Sequence, residues 1–94
     1  MPRDKRKVEE ALSKKGFVRR EGDHHRFIYF TQSGLKTHIL TKTSHTPKMK
    51  EIGDGLLGQM AKQCCLTKTD FLRLLDCPLT REQYEILLKN QGEI

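Results

Sequence analysis

The sequence predicts an α+β fold in the order α-β-β-β-α, a three-stranded antiparallel sheet packed on helices, followed by a C-terminal helical pair. Three observations predict it. Apolar residues recur at helical spacing on either side of the centre, at Val8, Ala11 and Leu12 and again at Leu56, Leu57, Met60 and Ala61. Between them lie three runs rich in aromatic and β-branched residues, separated by glycine-bearing turns. The chain of 94 residues, 35% of them hydrophobic, is long enough for one modest core. We read residues 1–94 as a single domain, with the α-β-β-β-α core over 1–65 and a helical extension over 66–94.

The first helix is expected over 4–15. Val8, Ala11 and Leu12 form a thin apolar stripe, Lys15 lays its stem along it, and Gly16 follows as a left-handed cap. Lys5, Arg6, Glu9, Glu10 and Lys14 are assigned to the outer face. Phe17–Arg20 begins a strand, and Glu21-Gly22-Asp23 turns the chain. The second strand runs from His24 to Thr31; its Phe27-Ile28-Tyr29-Phe30 run is apolar throughout, and core packing is expected for at least two of its aromatics. Gln32-Ser33-Gly34 turns again, and Leu35–Thr43 is the third strand.

A loop centred on Pro47 leads to a second helix that starts at Asp54 or a neighbouring glycine and carries Cys64 and Cys65 on its apolar face. The last third repeats itself. Leu66-Thr67-Lys68-Thr69-Asp70-Phe71 is echoed by Leu79-Thr80-Arg81-Glu82-Gln83-Tyr84. Each has threonine at the N-cap, Asp or Gln three residues on, and an apolar pair to staple the first turn. Two helices follow, about 68–76 and 81–90, and Gly92 ends the second.

Charge is unevenly placed. The net +6 divides into +8 over residues 1–50 and −2 over 51–94. A basic half points to an anionic partner, most often nucleic acid, against the plainer alternative of a solvated surface. The three cysteines include no Cys-x-x-Cys pair, so free thiols in a reducing compartment are expected. No apolar run approaches the ~20 residues of a membrane span. The basic N-terminus leads into no apolar signal core, so a cytoplasmic location is expected, with no membrane partner.

Candidate chemistry gathers at Gly22-Asp23-His24-His25-Arg26, where a turn becomes a strand. Histidine exchanges a proton near neutral pH without help from its surroundings. A neutral imidazole can take a proton from a ribose 2′-hydroxyl, and an imidazolium can protonate a departing 5′ oxygen. Arg19, Arg20 and Arg26 can hold the phosphate between them. The alternative is a pair of ordinary strand-edge histidines. His38 and His45 are weaker candidates. Adjacent His-His and Cys-Cys pairs lack zinc spacing, so neither a metal nor a cofactor is expected. Residues 59–75 also have the outline of a helix-turn-helix, offering Lys68, Thr69 and Arg73 to a DNA groove, with Cys65 where a turn glycine is usual.

Lys15-Gly16-Phe17 after a short helix, then Gly22-Asp23-His24-His25 leading into an aromatic strand, resembles the HicA toxins over roughly residues 5–65. The signature of that family is Gly-Ser-His, often with a second histidine. Asp23 stands where serine is usual. The resemblance implies a double-stranded-RNA-binding-like fold, metal-independent cleavage of mRNA, and a neutralising antitoxin partner. It implies His24 as the catalytic general acid or base. Arg19, Arg20, Gly22, His25, Arg26, Lys36 and Lys42 are the expected RNA-binding residues. The competing expectations are a non-enzymatic nucleic-acid-binding module, using either the basic strands or the 59–75 helices, and a protein-interaction domain with an acidic partner.

Overall fold

Alternation of side chains in the middle third builds a sheet with one apolar face. In the computed structural model, which describes residues 3–20, 25–43, 50–76 and 78–94, strands β2 (Phe17–Arg20), β3 (His25–Phe30) and β4 (Lys36–Thr43) pair antiparallel in that order. They are preceded by β1 (Arg3–Asp4) and α1 (Lys5–Lys14) and followed by β5 (Glu51–Ile52), α2 (Asp54–Gln63), α3 (Lys68–Leu75) and α4 (Arg81–Asn90). The α-β-β-β-α order and the C-terminal helical pair are present as the sequence predicts. The Glu21–Asp23 turn, the catalytic candidate His24, the loop around Pro47 with His45, and Cys77 lie outside the described residues.

Register separates the two faces of the sheet. Phe17 pairs with Tyr29, and Phe27 with Thr41; these residues and Ile39 and Thr43 are buried. One residue out of phase, Val18, Ile28 and Leu40 fall in a row on the opposite face and are less buried. Two aromatics of β3, Phe27 and Tyr29, have no exposed surface and pack in the core, whereas Phe30 on the other face is half-buried. The β3–β4 register shifts between Ile28 and Phe30, and there the Thr37 hydroxyl donates to the Tyr29 carbonyl at 2.6 Å.

The helices end where their capping chemistry ends them. Asp4 caps α1 by accepting from the Lys7 N–H at 3.2 Å, so the helix is one residue shorter at each end than expected. Lys15 is buried along the helix as predicted, and its ammonium donates to the Leu79 carbonyl at 2.6 Å. Gly16 has φ +101°, and a Cβ there would stand 2.5 Å from Arg81 Nε and 2.9 Å from Tyr29 Cε1. Glycine is therefore required twice at this position, by backbone conformation and by the close approach of α4.

Gly53, one of the expected starts, is the N-cap of α2. Cys65 corrects the sequence reading. It does not continue the helix but turns the chain with φ +63°, the left-handed conformation usually left to glycine, while Cys64 is the C-cap. Thr67 and Thr80 accept from the N–H groups of Asp70 and Gln83, each at 3.1 Å, and Gln83 completes a capping box by accepting from the Thr80 N–H at 3.0 Å. The β1–β5 pair was not foreseen, because two-residue strands carry no periodicity. Arg3 in β1 also grips the Asp76 carboxylate beyond the end of α3 with both guanidinium nitrogens.

The extension completes the core. Phe71 and Leu74 of α3 and Tyr84 and Leu88 of α4 are fully buried in one cluster with Leu12, Phe27, Tyr29 and Met60. Phe17, Tyr29 and Tyr84 form an aromatic triangle with centroids 5.0 to 5.9 Å apart. The Tyr84 hydroxyl donates to the Cys64 carbonyl at 2.8 Å, fastening α4 to the end of α2. Burial pushes the Cys64 thiol well up, which leaves it an unreactive member of the core. Among the described residues, no helix is long and apolar enough to cross a membrane.

Candidate functional site

Strand β3 begins at the joint singled out in the sequence, and its first residue is His25. His25 has the parity of Phe27 and Tyr29 and so turns toward the helical layer, where its side chain is 12% exposed. Its Nδ1 lies 2.9 Å from Glu9 Oε2 of α1. Arg19 Nη2, from β2, lies 3.1 Å from Nε2 and 3.3 Å from Nδ1 of the same ring. Thr43, opposite His25 on β4, donates its hydroxyl to the same Glu9 oxygen at 2.6 Å.

Glu9 thus leaves the outer face to which the sequence assigned it. Burial by itself would raise its carboxyl. Hydrogen bonds from Thr43 and His25, with the charges of His25 and Arg19, outweigh that burial and hold it below the ordinary carboxylate range. Beside this cluster, a groove of about 430 Å³ runs between α1 and the sheet, lined in part by Arg6, Lys14 and Arg19.

The structure divides the predicted RNA-binding residues into separate groups. Arg20 lies directly opposite Arg26, and Arg26 opposite Lys42, so these three form a cationic row across the open face of the sheet. All three are exposed, and the less buried row Val18–Ile28–Leu40 lies alongside. Arg19 belongs to the other face, with His25. Lys36 stands at the far end of the sheet, opposite Phe30. Gly22 and His24 fall outside the described residues. Strands β2, β3 and β4 contain five Lys/Arg and no Asp or Glu, so their cations meet no opposing charge within the sheet.

The other candidates are tied up elsewhere. His38 is exposed on β4 and lies 2.9 Å from Glu93, beyond α4. In the helix-turn-helix-like segment, Ala61 and Phe71 are buried as that outline requires, and the Cys65 turn has the left-handed backbone. Its cations, however, face carboxylates: Lys68 lies 3.6 Å from Asp54, and Arg73 3.6 Å from Asp70. That helix therefore presents a mixed surface and lacks the uniform positive field that phosphates need. Among the described residues, no three His, Cys, Asp or Glu side chains gather as a metal site.

Glu9 and Thr43 were missed because each looked ordinary in one dimension. Glu9 sits beside the apolar stripe of α1, and Thr43 reads as a β-branched strand residue. Only the strand register brings both to His25.

A family model described as the HicA toxin of bacterial toxin–antitoxin systems matches residues 6–66. The chain belongs to the HicA toxin family. The match covers α1, the three-stranded sheet and α2 and ends at the Cys65 turn, so α3 and α4 lie beyond it. Membership in a toxin–antitoxin family implies an antitoxin as partner. No curated protein and no solved structure matches the chain.

Proposed function

We propose that this HicA-family chain is a metal-independent endoribonuclease, a cytoplasmic mRNA interferase that its antitoxin neutralises. The observation that carries the proposal is the acid-free sheet of five cations, leading into the histidine joint of a chain from a toxin family. An RNA backbone is the polyanion suited to such a surface. The order of elements fits the double-stranded-RNA-binding-like fold that the family resemblance implies. Arg20, Arg26 and Lys42 would track the backbone, with Gly22 at the turn and Lys36 at the far end of the sheet. Arg19 and His25 would meet the scissile phosphate.

His24 is the proposed general acid or base. In the reaction, an imidazole takes the proton of the ribose 2′-hydroxyl as that oxygen bonds to phosphorus. The bond from phosphorus to the 5′ oxygen breaks, and an imidazolium returns a proton to the leaving oxygen. The products are a 2′,3′-cyclic phosphate and a free 5′-hydroxyl. The cations that bind the backbone also stabilise the extra negative charge of the transition state.

The test is cleavage of a labelled mRNA by the purified chain and by His24→Ala. Replacing the catalytic imidazole should lower the rate at least about 10²-fold, in line with the usual contribution of general acid–base catalysis. Unchanged cleavage by His24→Ala would remove that residue from the mechanism. RNA bound but left intact by the parent chain would favour the second reading, a non-enzymatic RNA-binding module built on the same sheet. The pairing of Lys68 and Arg73 with carboxylates gives no comparable support to DNA reading by α3.

A further inference from the structure

The turn between β3 and β4 and the end of α4 enclose a groove at the end of the sheet away from the histidine joint. Its volume is about 500 Å³. One side comes from Thr31 to His38, the other from Glu85, Lys89 and Ile94. The second side lies beyond residue 66, where the family match ends, so the groove exists only where the helical extension meets the family core.

Most polar groups of the lining are already spent. Thr31 Oγ1 accepts from the Leu35 N–H at 3.0 Å and lies 2.8 Å from Ser33 Oγ. The Thr37 hydroxyl donates to the Tyr29 carbonyl. Glu85 is 7% exposed and accepts from Tyr29 and Gln32. His38 lies 2.9 Å from Glu93. Two kinds of surface remain. Leu35 and Ile94 are 67% and 37% exposed, two of the four large hydrophobics so exposed among the described residues. Leu35 is also held in place, because its carbonyl accepts from the Thr31 N–H at 2.9 Å while its own N–H donates to the Thr31 side chain. Lys36 of β4 and Lys89 of α4 are exposed and meet no carboxylate among the described residues.

These remainders choose among occupants. A second copy in an isologous pair brings the same lysines from both chains together. RNA finds two cations but no Phe, Tyr or Trp ring in the lining on which a base could stack. An extended peptide with an aliphatic side chain between carboxylates satisfies both surfaces. The aliphatic group is buried against Leu35 and Ile94, and the carboxylates meet Lys36 and Lys89. We propose that this groove is a docking site for such an acidic, aliphatic peptide segment of a partner protein. The antitoxin that the family implies is the partner expected to carry it. The proposal stands whether or not the chain cuts RNA.

The test is an NMR titration of the full chain with a short peptide whose leucines are each flanked by glutamates. Two control peptides replace leucine with serine or glutamate with lysine, and a uridine oligonucleotide is titrated in parallel. Saturable amide shifts are expected at residues 31–38 and 85–94, with the acidic, aliphatic peptide binding about tenfold more tightly than either control. Leu35→Ser should weaken it about tenfold and Lys89→Glu about fivefold. Lys36 is left intact, because the RNA reading also uses it. Equal binding of the serine peptide, or shifts centred on the Arg20–Arg26–Lys42 row, would overturn the proposal. An oligonucleotide that moves the groove residues more strongly than the peptide would give the groove to RNA instead. Shifts of the same residues on concentrating the chain alone would give it to a second copy.

Discussion

Strand β3 is held at each end by a carboxylate and an arginine, and the two ends are built for different purposes. At its start, Glu9 and Arg19 hold a titratable ring beside an open groove. At its finish, Glu85 and Arg81 of α4 hold mostly backbone. Arg81 Nη2 donates to the carbonyls of Phe30 and Thr31 at 2.9 and 3.0 Å, and its guanidinium lies 5.8 Å from the centre of the Tyr29 ring. Glu85 Oε1 accepts from the Tyr29 hydroxyl at 2.7 Å and from the Gln32 N–H at 2.5 Å. Burial, with the Glu85 carboxylate, pushes the Tyr29 phenol far above its ordinary range, so that hydroxyl keeps its proton near neutral pH. Like residue types thus serve opposite ends. A carboxylate–arginine pair around backbone groups fastens a turn, whereas the same pair around an imidazole holds a polar ring beside a groove.

The contrast is best broken by removing each carboxylate in turn. Glu85→Ala leaves the buried Tyr29 hydroxyl and the Gln32 N–H without their acceptor, which should cost about 3 kcal/mol in urea unfolding at 1–3 kcal/mol for each orphaned group. Cleavage per folded molecule should stay the same. Glu9→Gln should cost less stability, because its amide oxygen can still accept from Thr43. Equal loss of stability from both variants would erase the distinction.

A second variant separates the open face of the sheet from both clusters. Replacing Arg20, Arg26 and Lys42 together with Gln should weaken RNA binding about 10²-fold and flatten its dependence on salt, measured by titration at several ionic strengths. The fold should be intact, because all three side chains are exposed. Unchanged affinity would move the RNA surface elsewhere, toward the groove beside Arg19.

Gly16→Ala probes how closely α4 is fitted. The left-handed backbone and the contacts with Arg81 and Tyr29 should together cost about 2 kcal/mol, read as a lower urea midpoint. A neutral result would show that Arg81 gives way freely and that the distal fastening is loose.

The smallest effect concerns acid. Glu9's folded carboxyl is held below its unfolded value, so its contribution is fully present above the unfolded value near 4.5. It is lost as pH falls through the lower folded value. The parent chain should therefore lose stability on going from pH 5 toward pH 3 more steeply than Glu9→Gln, by a margin that thermal melts at each pH can resolve. Parallel curves for the two proteins would show that Thr43 and His25 do not stabilise the ionised form.

Local rules by themselves settled most of this chain's architecture. The capping threonines 67 and 80, the glycines at 16 and 92 and the alternation through Phe27 and Tyr29 act over a few residues, and helix and strand limits fell within one or two positions of the expectation. The histidine joint was visible for the same reason, since a turn, two histidines and an apolar strand are neighbours in the chain. Tertiary structure decided what long-range packing alone can decide. Glu9, Thr43 and His25 are separated by 16 and 18 residues along the chain, and register brought them onto one oxygen. Cys65 took a left-handed turn because α2 and α3 must fold back on each other there. Arg81 and Glu85, ordinary residues of an amphipathic helix when read in sequence, became the fastening of β3 because the core carries α4 against its end.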